Sequence, residues 1–178
     1  MDLTEPQLRQ ALTASLAVDR WVDDVAARAP FPSLAALLDV ARHAATPLTE
    51  LEIDLALAHH PRIGERAAVQ GLTAALSRSE QAGMRGPGPD GAAADEAGLD
   101  RAIAAGNAAY EARFGRVFLI RAAGRSRADV LAELHRRVEL PDEVELAVVE
   151  DQLREIAAGR LAALLDDHAR SHQLLEDP

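Results

Sequence analysis

The 178-residue chain has no cysteine, three phenylalanines, one tyrosine and one tryptophan, and its sequence contains no lysine. Each absence removes chemistry. Without cysteine there is no thiol nucleophile, no disulfide frame and no thiolate metal site. Without lysine there is no Schiff base and no lysine general base. Aromatics make up only 3% of the chain, and the core must come from alanine, leucine and valine. Such a core suits close helix packing better than a β-sandwich. No apolar run approaches the length of about 18 residues that a membrane-spanning helix requires. Lysine being absent, all 19 basic residues are arginine; they face 29 acids, for a net charge of -10. That balance argues against sequence-independent nucleic-acid binding, which needs basic charge to release counterions. It equally argues against docking on an anionic membrane. The opening residues MDLTEPQLRQ are acidic and polar, unlike a signal peptide, and the closing LLEDP is no peroxisomal address. The expectation is a cytoplasmic protein.

What is present is helix signal. The length fits one domain over residues 1–178. Thr4 before Glu5-Pro6 opens a segment with Leu8, Leu12 and Leu16 at four-residue spacing. A second runs from Val18 to Ala29 and stops at Pro30. Ser33 caps a third, Leu34 to Ala44, with Leu34, Leu37, Leu38 and Ala41 on one face. Thr46-Pro47 opens a fourth, whose apolar stripe reads Leu48, Leu51, Leu55 and Ala58, and Pro61 ends it. Residues 65–84 read as another helix. The Gly/Pro-rich stretch at about 85–98 reads as a flexible loop, with helix resuming near Asp100 and ending at Gly115. Val117 to Ile120 is a short apolar run with the pattern of an extended segment. Ser126 caps a helix over Arg127 to Val138, and Pro141 starts a long last one to about Ala169, before a polar tail at about 170–178. The architecture expected is all-α, a single compact bundle of about eight helices.

Few residues can carry chemistry. His59 and His60 sit at a helix end, where Pro61 restricts the backbone beside His60. Imidazole titrates near neutral pH, so a general acid/base fits, and so does a pair in which one ring packs and the other is solvated. Ser77 and Glu80 have capping-box spacing, and Gln81 beside them offers an amide to a ligand. His168 and His172 are spaced i, i+4 in the polar tail and read as solvated. On the last helix the stripe Leu146, Val149, Leu153, Ile156 continues into Arg160 and then Leu164. An arginine on a buried stripe needs a partner, either an internal carboxylate or an anionic ligand held by its fork of N–H donors. Arg154 falls off that stripe and reads as solvated. Asn107, Tyr110, Arg113 and Phe114 lie on successive turns, and the two rings read as packing residues. If Phe118 to Gly124 lines a pocket, it does so through backbone groups.

Taken in order, four pieces carry a family resemblance: His60-Pro61; Ser77-x-x-Glu80-Gln81; Asn107-x-x-Tyr110-x-x-Arg113-Phe114-Gly115-x-x-Phe118; and Glu155-Ile156-x-x-x-Arg160-Leu161. Together they resemble the 2-oxo-4-hydroxy-4-carboxy-5-ureidoimidazoline (OHCU) decarboxylases, from about Trp21 to Leu161. The resemblance implies an all-α enzyme that uses no cofactor and no metal, is often a homodimer, and converts a small anionic ureidoimidazoline to (S)-allantoin and CO2 in urate degradation. It implies His60 and Glu80 as catalytic residues. It implies substrate binding by Pro61, Ser77, Gln81 and Arg160, and by the run Phe118, Leu119, Ile120, Arg121 and Ala122 through its backbone. Arg121 places a charge within that run. Two other classes of function remain open from the residues alone. One is a non-catalytic helical module that binds a small anion through Arg160. The other is a metal-dependent hydrolase using His59, His60 and carboxylates.

Overall fold

The computed structural model describes residues 3–58, 60, 62–63 and 93–176. The described residues form seven α-helices and no strand: α1 Glu5–Ser15, α2 Asp19–Ala26, α3 Leu34–His43, α4 Glu50–Leu57, α5 Ala93–Phe114, α6 Arg127–Val138 and α7 Asp142–Glu176. The class is all-α, and the eighth expected helix, at residues 65–84, lies outside the described residues.

Local chemistry starts these helices where the sequence places its caps. Thr4 accepts from the Gln7 N–H and the Gln7 side chain accepts from the Thr4 N–H at 2.9 Å, a reciprocal box ahead of Pro6. Ser33 accepts from the Ala36 N–H at 3.2 Å. Ser126 and Asp129 close a second reciprocal box at the start of α6. Gly115 ends α5 with φ +68°, a left-handed turn that glycine adopts without steric cost.

By internal packing the chain divides into two units, one of Met1–Glu52 with Leu153–Pro178 and one of Ile53–Gln152. In the first, α1 packs on α2 and α2 on α3. The buried set includes Leu8, Leu12, Leu16, Trp21, Val25, Leu37 and Ala41, joined by Leu153, Ile156 and Leu161 from α7. Trp21 is fully buried and donates its indole N–H to the Ala41 carbonyl at 2.8 Å. Arg154, expected in solvent, is 3% exposed. Its guanidinium donates to the Ala44 carbonyl at 3.2 Å and reaches the Ala45 carbonyl at 3.4 Å. Ala45 has φ +53°, and the centre of α7 is buried around much more of its circumference than one stripe. An arginine there satisfies the carbonyls of a tight turn that no helix can reach.

The α4 stripe also differs from expectation. Leu51 is 69% and Leu55 55% exposed, whereas Ile53, Ala56 and Leu57 are buried. Two interleaved apolar stripes exist on this helix, and spacing alone does not choose between them. Helix α5 starts at Ala93, so residues 93–98 are helical where a loop was expected: the Ala/Glu run 93–97 outweighs Gly98. Helix α7 runs to Glu176, through most of the expected polar tail.

One carboxylate in the first unit is set up to report acid denaturation. Glu52 accepts from Arg20 Nε at 2.9 Å and Nη2 at 2.8 Å, and from the Thr49 N–H at 2.7 Å. The Arg20 guanidinium holds its carboxyl well below the ordinary 4.5, at about 2, against the opposing effect of burial. A carboxyl lowered by folding contributes stability that is fully present above its unfolded value and is lost as pH falls through its folded value. Between pH 4.5 and 2 the melting temperature of the wild type is therefore expected to fall more steeply than that of Glu52→Gln. Parallel curves over that window, by circular dichroism, would remove the assignment.

The second unit has its core between α5 and α6. Tyr110, Phe118, Ile120, Ala122, Val130 and Leu134 are buried together with Ile63 and Ile103. The helices cross closely at Gly106, where a Cβ would sit 2.3 Å from Leu134 Cδ2. Tyr110 packs on Phe114 and Phe118 with ring centroids 4.7 and 5.2 Å away, as its expected packing role requires.

Candidate active site

His60 lies three residues past Leu57, the last residue of α4. Its backbone N–H donates to the Leu57 carbonyl at 2.9 Å, extending the helix end, and the half-buried ring turns back on the same turn. Nδ1 lies 2.8 Å from the Ala56 carbonyl oxygen. A carbonyl only accepts, so Nδ1 carries the proton, and in the neutral ring the lone pair is on Nε2. The Ala56 carbonyl thus selects the tautomer of the ring.

The residues just past His60 are tied to α5. Ile63 is buried, and its carbonyl accepts from Asn107 Nδ2 at 3.0 Å. Arg62 forms a bidentate pair with Glu111, Nε to Oε1 at 2.5 Å and Nη2 to Oε2 at 2.6 Å. Asn107 and Glu111 are one turn apart on the same face, so one helix face holds two successive residues of the chain leaving the histidine. A cavity of about 310 Å³ opens beside them, lined by Arg62, Ile63, Ile103, Asn107 and Glu111 among others.

The run 117–122 is neither helix nor strand, yet Phe118, Leu119, Ile120 and Ala122 are buried while Arg121 is exposed. The charge of Arg121 therefore does not enter the apolar lining. Leu119 hands its carbonyl to Arg137 Nη1 at 2.6 Å, and the Arg121 N–H donates to Gln152 Oε1 at 2.9 Å. Arg137 is fully buried and pairs with buried Glu145: Nη2 to Oε1 at 2.5 Å, and Nε to Oε1 and Oε2 at 3.0 and 3.1 Å. Its guanidinium also stands 4.7 Å from the centroid of the Phe118 ring. The Tyr110 hydroxyl donates to Glu145 Oε1. Burial first, and then the Glu145 carboxylate, push the Tyr110 phenol far above its ordinary value, so it stays a donor.

Arg160 is buried, as its stripe position requires, and Nη1 lies 3.5 Å from the Ser15 carbonyl within the first unit. His60 and Phe118–Ala122 belong to the second unit. Pro61, Ser77, Glu80, Gln81 and His59 lie outside the described residues, as do the side chains of His168 and His172. Among the described residues no cluster of three or more His, Asp or Glu side chains is placed to hold a metal ion, and no helix is long and apolar enough to cross a membrane. The Arg137–Glu145–Tyr110 network had no counterpart in the sequence reading. A signal existed: Arg137 continues the stripe Val130, Leu134, and Glu145 precedes Val149 by one turn on its own stripe.

The family model described as OHCU decarboxylase matches residues 1–162. Among solved structures, a crystal structure of OHCU decarboxylase in the presence of (S)-allantoin is 21% identical and superposes with a TM-score of 0.66, covering 86% of this chain and 96% of that one. A crystal structure of (S)-allantoin synthase is 15% identical, with a TM-score of 0.60 over 90% of this chain and 50% of that one. The chain thus spans half the length of that synthase, and at these identities both likenesses are of fold. No curated protein matches the sequence. The match over residues 1–162 covers His60, the 117–122 run and Arg160 alike, and the chain belongs to the OHCU decarboxylase family, whose chemistry is a decarboxylation in urate degradation.

Proposed function

We propose that the chain converts OHCU to (S)-allantoin and CO2 without a cofactor, as one domain over residues 1–178, with His60 as its acid/base group. The observation that carries the reading is the Nδ1–H bond of His60 to the Ala56 carbonyl at 2.8 Å. A ring held in one tautomer by a backbone group presents one basic nitrogen in one direction, which is what one-sided proton transfer requires.

The substrate suits a protein without lysine or cysteine. Its carboxylate sits on a ring carbon that also bears a hydroxyl, next to an imine-like carbon carrying the ureido group. When the carbon–carboxylate bond breaks, the electron pair moves into the ring and onto the imine nitrogen, which takes up a proton, so the substrate is its own electron sink. A proton then arrives at the neighbouring carbon, which becomes the stereocentre, while the hydroxyl gives up its proton and becomes a carbonyl. One proton is taken up per CO2 released. The protein's task is to orient the carboxylate and deliver that proton to one face. In this reading His60 Nε2 handles the proton, and Glu80 orients His60 or the substrate hydroxyl. Arg160 binds an anionic oxygen, Pro61, Ser77 and Gln81 fix the ring, and the Phe118–Ala122 backbone reads its polar edge.

The reading is tested by adding purified protein to freshly generated OHCU and following the product by circular dichroism. The expected result is (S)-allantoin appearing faster than spontaneous decay. Racemic product at the buffer rate would overturn it.

A further inference from the structure

The buried run Phe118–Ala122 has no helix or sheet ladder to fix its position, so its buried polar groups must be accounted for one by one. The Leu119 carbonyl goes to Arg137, the Arg121 N–H to Gln152, and the Ala122 carbonyl to the Arg125 N–H at 3.0 Å. Among the described residues, no hydrogen bond reaches the Ile120 backbone. Two side chains thus hold the run on either side of Ile120.

From this geometry we propose that Arg137 and Gln152 are positioning residues of the active site: they set the backbone of Phe118–Ala122 against the substrate without touching it. The inference rests on the decarboxylase reading. Arg137 suits the task because its guanidinium is a rigid plane. The Nε/Nη2 edge is locked on Glu145 of α7, so Nη1 can approach the Leu119 carbonyl from one direction only. Tyr110 of α5 fixes the same Glu145 oxygen from the other side, and Phe118 lies against the guanidinium. Three helices therefore converge on one carbonyl and one ring of the run. Stability alone does not call for this arrangement, since apolar side chains of similar volume replace buried ion pairs at little or no cost.

The test separates position from stability. Gln152→Leu frees the Arg121 N–H, and Gln152→Glu keeps an acceptor for it. A triple variant, Arg137→Met with Glu145→Leu and Tyr110→Phe, fills the network with apolar groups. The expected result is a fall in kcat/KM of about tenfold or more in Gln152→Leu, carried mainly by KM, with loss of enantiomeric excess and an unchanged melting temperature. Gln152→Glu should restore most of it, and the triple variant should melt near the wild type yet lose activity similarly. Wild-type kcat/KM and enantiomeric excess in Gln152→Leu would overturn the positioning role while leaving the decarboxylase reading intact. A wild-type protein without stereoselective turnover would overturn both.

Discussion

Replacing His60 by alanine is expected to reduce the enzymatic rate by about 10²–10⁴-fold, the usual contribution of a positioned general acid or base. That corresponds to roughly 3–5 kcal/mol of transition-state stabilisation. The spontaneous reaction sets a floor, so what an assay sees is disappearance of the excess over buffer and of the preference for (S)-allantoin. The variant should fold, because the ring is half-buried and its Nδ1 bond is to the last turn of α4, whose carbonyls lie beyond the intrahelical ladder. A melting curve like the wild type's, with a racemic product trace, is the expected pair of observations. Undiminished (S)-allantoin formation by His60→Ala would remove His60 from the chemistry and return the histidine pair to the packed-and-solvated reading.

The sequence was legible where the physics is local. Thr4, Ser33 and Ser126 cap helices in the structure because a hydroxyl three residues from a free N–H needs nothing from the rest of the fold. The burial of Arg160 was legible from its place on a stripe of four apolar residues, and the rings of Tyr110 and Phe114 from theirs. Besides the helix bounds at residues 93 and 176, three features were misread for a tertiary reason. Leu51 and Leu55 face out because α4 carries a second stripe, Ile53, Ala56 and Leu57, and only the neighbours decide which is buried. Arg154 is buried because the Ala44–Ala45 turn needs donors. Arg137 and Glu145 were passed over although each lies on a stripe by the rule that found Arg160. An acid and a base buried on different helices are individually anomalous and jointly a prediction of contact. In the candidate site the choice of His60 rests on Pro61 and the resemblance, and neither speaks to its tautomer: that depends on where the Ala56 carbonyl points.

Truncating Glu145 to alanine is the substitution expected to destabilise the fold most, by about 3–5 kcal/mol, because it leaves a charge in the interior without its counter-ion. Arg137 is 0% exposed, and with Glu145 gone its Nε and Nη2 lose these acceptors; the bond to the Leu119 carbonyl remains. The Tyr110 hydroxyl loses its acceptor in the same stroke. For a chain of this size each kcal/mol lowers the melting temperature by about 2–4 °C, so a drop on the order of 10 °C is expected. The neighbouring pair supplies the contrast. Arg136 and Glu133 make an equally short bidentate bridge on the same helix, at 2.7 and 2.8 Å, but the arginine is half exposed. Water takes over both groups when either is removed, so Glu133→Ala should cost at most about 1 kcal/mol. The two bridges look alike by distance and differ by solvent, and thermal melts of the two single variants read out that difference. Equal, small shifts would mean that water reaches Arg137, and the directional hold on Leu119 would go with it.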